Sequence, residues 1–259
     1  MELTYFKNIF EDRKFIRKVV AIAIPIAIQA LLNTTLNLVD NIMIGALGES
    51  SIAAVGLANK VFFVFTLLLF GIVSGSSILT AQYWGKRDIK NIRRVLGISL
   101  IIGLLGAVIF MLAGLFIPKL VMRIFTPSEG TISIGASYLV IVAISYPLTA
   151  ITNCYISLLR ATNKVKAPVF ISVIAILVNV VLNYTFIFGN FGAPRLGVQG
   201  AAIATVIARV VECISILSVV YISKGPAAAK IKELFSFDKD FIKKYWITVS
   251  PVIANEFIW

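Results

Sequence analysis

The sequence has 259 residues, 59% hydrophobic and 14% charged, with a formal net charge of +12 and no histidine. A soluble core cannot hide that much apolar surface, and without histidine neither His-based catalysis nor a His-ligated metal is available. On a soluble protein such a basic balance would point to nucleic acid. Here the charge lies in short loops between long apolar runs, so no nucleic-acid partner is expected and the lipid bilayer is the surrounding medium.

Six complete spans are predicted, at 19–44, 52–80, 92–117, 132–158, 167–189 and 198–223. Each meets the roughly 20 residues needed to cross about 30 Å of hydrocarbon at about 1.5 Å per residue. A seventh apolar run opens near Tyr245 and is still apolar at Trp259. The first run, after Lys18, is too long and too late for a cleavable signal peptide. Cys154 and Cys213 both fall in apolar spans and read as buried thiols rather than a disulfide framework.

The first span carries Gln29, Asn33, Asn37 and Asp40. At about 100° per residue, Asn33, Asn37 and Asp40 lie about 40°, 80° and 20° from Gln29, so the four share one stripe. Polar groups are costly in hydrocarbon, so the stripe should face protein or water. Asp40, close to the outer end before Gly45, could be a solvated interface residue, yet the aligned amides favour a polar cavity. Pro25 in this span and Pro147 in the fourth should kink their helices. In the second span Lys60 can snorkel to the outer surface. Gly71 and Gly75 there, and Gly103 and Ala107 in the third, form small-xxx-small sites for close helix packing.

The fifth span holds Asn179 and Asn183 one turn apart, equally an interhelical hydrogen-bond patch or a binding site on spacing alone. In the sixth, Thr205, Arg209 and Glu212 share a face, and the Arg–Glu pair at i, i+3 reads as mutually neutralising. Glu256 follows Pro251 in the seventh run.

The loops alternate in charge. The N-terminus and the second, fourth and sixth loops hold 19 Lys and Arg, whereas the opposite loops hold only Lys119, Arg123 and Arg195. By the positive-inside rule the N-terminus is cytoplasmic. An internal repeat links the two ends at an offset of 226. Asp12, Phe15, Ile16, Lys18 and Pro25 recur as Asp238, Phe241, Ile242, Lys244 and Pro251, while Gln29 and Asn255 keep a carboxamide. A duplicated even-numbered helix unit re-enters in the same orientation, as in transporters built from two parallel halves. The expected organisation is an all-α integral membrane fold with three parts. Residues 1–223 form a six-helix transmembrane lobe and 224–244 a cytoplasmic inter-lobe loop. Residues 245–259 start helix 7 of a second, C-terminal lobe missing from the sequence. No nucleotide-binding loop is present, so uphill transport would draw on an ion gradient.

In their order and spacing, several stretches resemble the multidrug and toxic-compound extrusion (MATE) family. They are Pro25–Gln29, Asp40–Gly48, Ile52–Ala58, Gly75–Gly85 with Asp88, Arg160–Pro168, Asn179–Gly189 and Gly197–Ala204. The resemblance covers nearly the whole chain and implies one lobe of a twelve-helix, pseudo-twofold protein in a bacterial inner membrane. That protein would be no enzyme and would have no cofactor. It would export organic cations by alternating access in exchange for H+ or Na+. Asp40 would be the first-helix carboxylate that binds the coupling cation, a Na+ ligand if sodium is the ion. Asn179 would stand beside it, and Asn183 replaces an Asp found in some members. Glu256 would match a seventh-helix Glu. The binding set is then Gln29, Asn33, Asn37, Asp40, Asn179, Asn183 and Glu256. A lipid-linked oligosaccharide flippase shares the architecture but wants several basic residues in its cavity. An intramembrane lipid-modifying enzyme would need an acidic or metal-ligating cluster that the sequence lacks.

Overall fold

The computed structural model describes residues 13–258, which form helices and loops with no strand among them. Among the described residues ten α-helices follow in chain order: α1 (Arg13–Gly45), α2 (Glu49–Gly85), α3 (Ile89–Phe116), α4 (Pro118–Arg123), α5 (Glu129–Val142), α6 (Tyr146–Ala161), α7 (Lys166–Phe188), α8 (Val198–Ile222), α9 (Ile231–Leu234) and α10 (Lys239–Ile258). A 3-10 turn at Ala143–Ser145 joins α5 to α6 just before Pro147, where the missing N–H removes a helical bond. Together they make one 33-residue span, Glu129–Ala161. Helix α1 runs without a break through residue 25. Five spans among the described residues, α2, α3, α5–α6, α7 and α8, are long and apolar enough to cross a membrane. Helix α1, with 33 residues, is longer than a bilayer core requires.

The turns follow local chemistry. Gly48, at positive φ, supplies the left-handed turn between α1 and α2 that a side chain would resist. Asp88 caps α3, its carboxylate accepting from the Asn91 backbone N–H at 3.1 Å and from Asn91 Nδ2 at 2.6 Å, which satisfies a donor that the helix itself leaves free. Gly189 ends α7 in the left-handed region, with Arg195 packed where a Cβ would stand.

Helix α2 is central, packing against α3, α5, α6 and α10, while α7 pairs with α8 and α1 lies mainly on α7. Two buried clusters fill the bundle. One, around Phe65, Tyr146, Leu139 and Met122, stacks the Phe65 and Tyr146 rings at 5.1 Å. The other, around Ile92, Val95, Leu158 and Tyr245, sits at the end where the basic loops gather. There Arg93 bonds the Pro226 carbonyl at 3.3 Å and Glu233 at 2.6 Å, drawing α3 and the segment after α8 together. Long apolar side chains such as Ile24, Leu31, Phe70, Ile109 and Phe170 point outward, as a lipid-facing surface requires.

The small-residue site on α2 is the seat of α10. A Cβ on Gly71 would lie 2.7 Å from Ile253 Cα and one on Gly75 2.9 Å from Val249 Cα, so glycine alone permits the approach. Tyr245 Oη lies 2.8 Å from Ser76 Oγ, and Phe241 stacks on Tyr83 at 6.1 Å. Gly103 in turn faces Leu69 and Cys154.

The basic-end loop has its own pH response. The Lys230 backbone N–H, followed by the Arg93 guanidinium, holds the exposed Glu233 carboxyl below its ordinary value, because both favour the charged form. A depressed carboxyl stabilises the folded form above its unfolded pKa, and that contribution fades as pH falls through the folded value. Relative to the intrinsic exchange rate at each pH, protection of the amides across Ile231–Leu234 should therefore weaken modestly below the ordinary glutamate range, and Glu233→Gln should remove that loss of protection. Hydrogen-exchange mass spectrometry between pH 6 and about 3 checks both.

Candidate functional site

A cavity of about 490 Å³ opens between α1, α2, α5, α7 and α8, its wall including Asn37, Asp40, Asn59, Tyr138, Asn179, Asn183, Thr205 and Arg209. Of the stripe expected on α1, Asn37 and Asp40 line this chamber. Asp40 lies partly buried there. Its Oδ1 accepts from Asn183 Nδ2 at 2.6 Å, and no cation among the described residues forms a salt bridge with it. Asn183 Nδ2 also donates to Asn179 Oδ1 at 3.0 Å, and Asn179 Nδ2 reaches Thr205 Oγ1 at 3.5 Å. Both Asn179 and Asn183 are almost wholly buried. With both donors of its amide directed at oxygens, Asn183 is left with a buried Oδ1 that has no hydrogen-bond partner among the described residues, an uncommon state for a buried polar atom. One carboxylate and one unsatisfied carbonyl oxygen thus stand on neighbouring helices.

The remaining residues of the expected set fall elsewhere. Asn37 lines the cavity and is exposed to it. Gln29 does not; it is buried, 5% exposed, donating from Nε2 to Ser172 Oγ at 2.7 Å and accepting from Arg160 Nη2 at 2.6 Å. Gln29 stands eleven residues before Asp40, about three helical turns, so a shared stripe need not mean a shared chamber. Asn33 belongs to α1, but its side chain lies outside the described residues. Glu256, half-buried on α10, does not line the cavity.

Ser172 donates onward to Glu212 Oε1 at 3.1 Å, and Arg209 donates to Glu212 Oε2 at 2.7 Å. The Arg209–Glu212 pair expected from the sequence is therefore formed, within a chain of bonds from Arg160 through Gln29, Ser172 and Glu212 to Arg209. Arg160 stands at the loop end of α6, and Ser172, Tyr138 and Asn59 are polar residues on apolar helices. A single polar residue on an apolar helix gives no periodic signal. No cluster of three or more His, Cys, Asp or Glu suited to a metal occurs among the described residues.

An all-helical bundle crossing the membrane several times, enclosing a polar chamber with an intramembrane carboxylate, belongs to the class of multi-pass membrane transporters. The MatE family model matches residues 25–185, well over half the chain, and the chain belongs to that family, whose members are transporters and not enzymes. It is 33% identical over 214 residues to a probable multidrug resistance protein, NorM, of Synechocystis, covering 80% of this chain and 44% of that protein. With the probable multidrug resistance protein YoeA of Bacillus subtilis the identity is 29% over 223 residues, covering 86% of this chain and 46% of the relative. A solved outward-facing multidrug resistance transporter of the MATE family has the same fold at TM-score 0.82 and 24% identity, matched over 93% of this chain and 52% of its own. The chain spans about half the length of the curated relatives it matches.

Proposed function

We propose that the chain is the N-terminal lobe of a secondary active multidrug efflux transporter, which exchanges organic cations for H+ or Na+ by alternating access. The lobe boundaries are those expected from the sequence, with residues 224–244 as the inter-lobe segment and the N-terminus in the cytoplasm of a bacterial cell. The observation that carries this reading is Asp40, a carboxylate on a cavity wall bonded to Asn183 and without a salt-bridge partner among the described residues. Such a group in a low-dielectric wall is stable only with a proton or a cation close by. Drug and coupling ion then compete for one carboxylate, so that arrival of one favours departure of the other. Rocking of two lobes converts that competition into exchange.

The oxygen of Asn183 that lacks a partner, together with Asp40, offers the hard donors that sodium prefers, while a proton needs Asp40 alone. The flippase alternative is less well supported, because Arg209 is the one basic residue lining the cavity among the described residues, where an anionic pyrophosphate calls for several.

Efflux by the protein at full length, in vesicles whose proton and sodium gradients are collapsed separately, tests the reading. Transport should stop when one of the two gradients is lost. Undiminished transport with both collapsed rules out antiport.

A further inference from the structure

We propose that Arg209 sets the charge limit of the cavity, which admits one positive charge at Asp40 and rejects a second further in. This deepens the transport reading above and rests on it.

Among the described residues, the charged side chains lining the cavity are Asp40, Arg209 and Glu212. Two are acids, and by simple count the chamber would suit a doubly charged cation. The bonding says otherwise. Glu212 is 7% exposed at its side chain, and both its oxygens are taken, Oε2 by Arg209 at 2.7 Å and Oε1 by Ser172 at 3.1 Å. Ser172 is held by Gln29, and Gln29 by Arg160, so the carboxylate is fixed by groups from four helices and is not free to serve as a counter-ion. Arg209, by contrast, is 35% exposed. A solute reaching this end of the cavity meets the guanidinium and not the acid.

Arg209 lies further along the cavity than Asp40, though near enough for its charge to be felt at the carboxylate. On α7, Asn183 and Asn179 mark the Asp40 end and Ser172 the other. They lie eleven and seven residues apart, or about two to three helical turns. A cation with its charge at Asp40 and an apolar body is accommodated throughout. One carrying a second charge about 10 Å away would place it against Arg209, where like charges repel across a poorly screening wall. The simpler reading, a structural ion pair with no bearing on the solute, predicts no such discrimination.

The test is competition binding to the purified full-length protein with two probes of equal chain length. One carries a single quaternary ammonium; the other carries two, about 10 Å apart. The unaltered protein should prefer the monocation at least tenfold. Arg209→Gln removes the guanidinium and releases the Glu212 charge, so the dication should gain at least tenfold relative to the monocation. Arg209→Gln with Glu212→Gln should fall between the two, and Arg209→Lys should keep the original preference. Equal affinity of the unaltered protein for both probes overturns the proposal, and so does a ratio unmoved by Arg209→Gln. If Arg209→Gln does not fold, the ratios for the unaltered protein and Arg209→Lys decide. Failure of the unaltered protein to bind either probe overturns the transport reading itself, an outcome distinct from loss of selectivity.

Discussion

Asp40→Asn is expected to abolish coupled efflux by the full-length protein, down to the level of cells without it, while the protein still inserts and folds. The substitution keeps size and shape. Its carboxamide oxygen can still accept the bond that Asn183 donates at 2.6 Å. Only the charge is lost. A unit charge about 4 Å from a cation contributes on the order of 4 kcal/mol at an effective dielectric near 20, or nearly a thousandfold in affinity. Accumulation of a fluorescent organic cation in an efflux-deficient host, alongside membrane quantities of the protein, measures the effect. Normal efflux by the variant would remove Asp40 from the mechanism.

The largest structural effect is expected at Gly97. A Cβ there would lie 1.9 Å from the carbonyl oxygen of Leu234, so α9 sits directly on the backbone of α3. The obstacle is main chain, which cannot rotate away, and Gly97→Val must displace the whole 231–234 segment. Overpacking of this kind costs typically about 1–3 kcal/mol, and the segment also loses the Arg93–Glu233 bond. Expected results are a melting point lower by several degrees and tryptic cleavage at Lys230 and Lys232 at least tenfold faster. Gly56, with no atom within 4 Å of its would-be Cβ, is the control. Gly56→Ala should be neutral or slightly stabilising, because alanine is the better helix former by up to about 1 kcal/mol. Equal thermal and proteolytic behaviour of the two variants would show that the close approach at Gly97 is unimportant.

Much of the architecture was legible in hydropathy because lipid permits little else. The fifth and sixth spans, expected at 167–189 and 198–223, are Lys166–Phe188 and Val198–Ile222. The first and second run further than expected, from Arg13 and on to Gly85, because hydropathy reports where the chain is apolar and not where the helix ends. Charged and aromatic residues such as Arg17 and Trp84 continue a helix beyond the hydrocarbon without announcing it. The short helices α4 and α9, of six and four residues, are too brief for any periodic pattern.

The site was legible in part. Of the aligned residues on α1, Asn37 and Asp40 stand on one wall, and the Asn179–Asn183 pair on α7 stands on the other, joined to it by the Asp40–Asn183 bond. Helical angle alone could not separate Gln29 from Asp40, since angle says which way a side chain points but not at what depth it meets a neighbour. Nor could spacing within one helix reveal that Arg160, at the end of α6, reaches across to Gln29. Contacts between distant segments depend on how the helices cross, which no single span encodes.

Ion release on cation binding is the most direct measurement. Purified full-length protein in weak buffer, loaded with a monovalent organic cation, should release one proton or one sodium ion per cation bound, and Asp40→Asn should release none. Binding without release by the unaltered protein, or equal release by both, would contradict a shared carboxylate as the point of exchange.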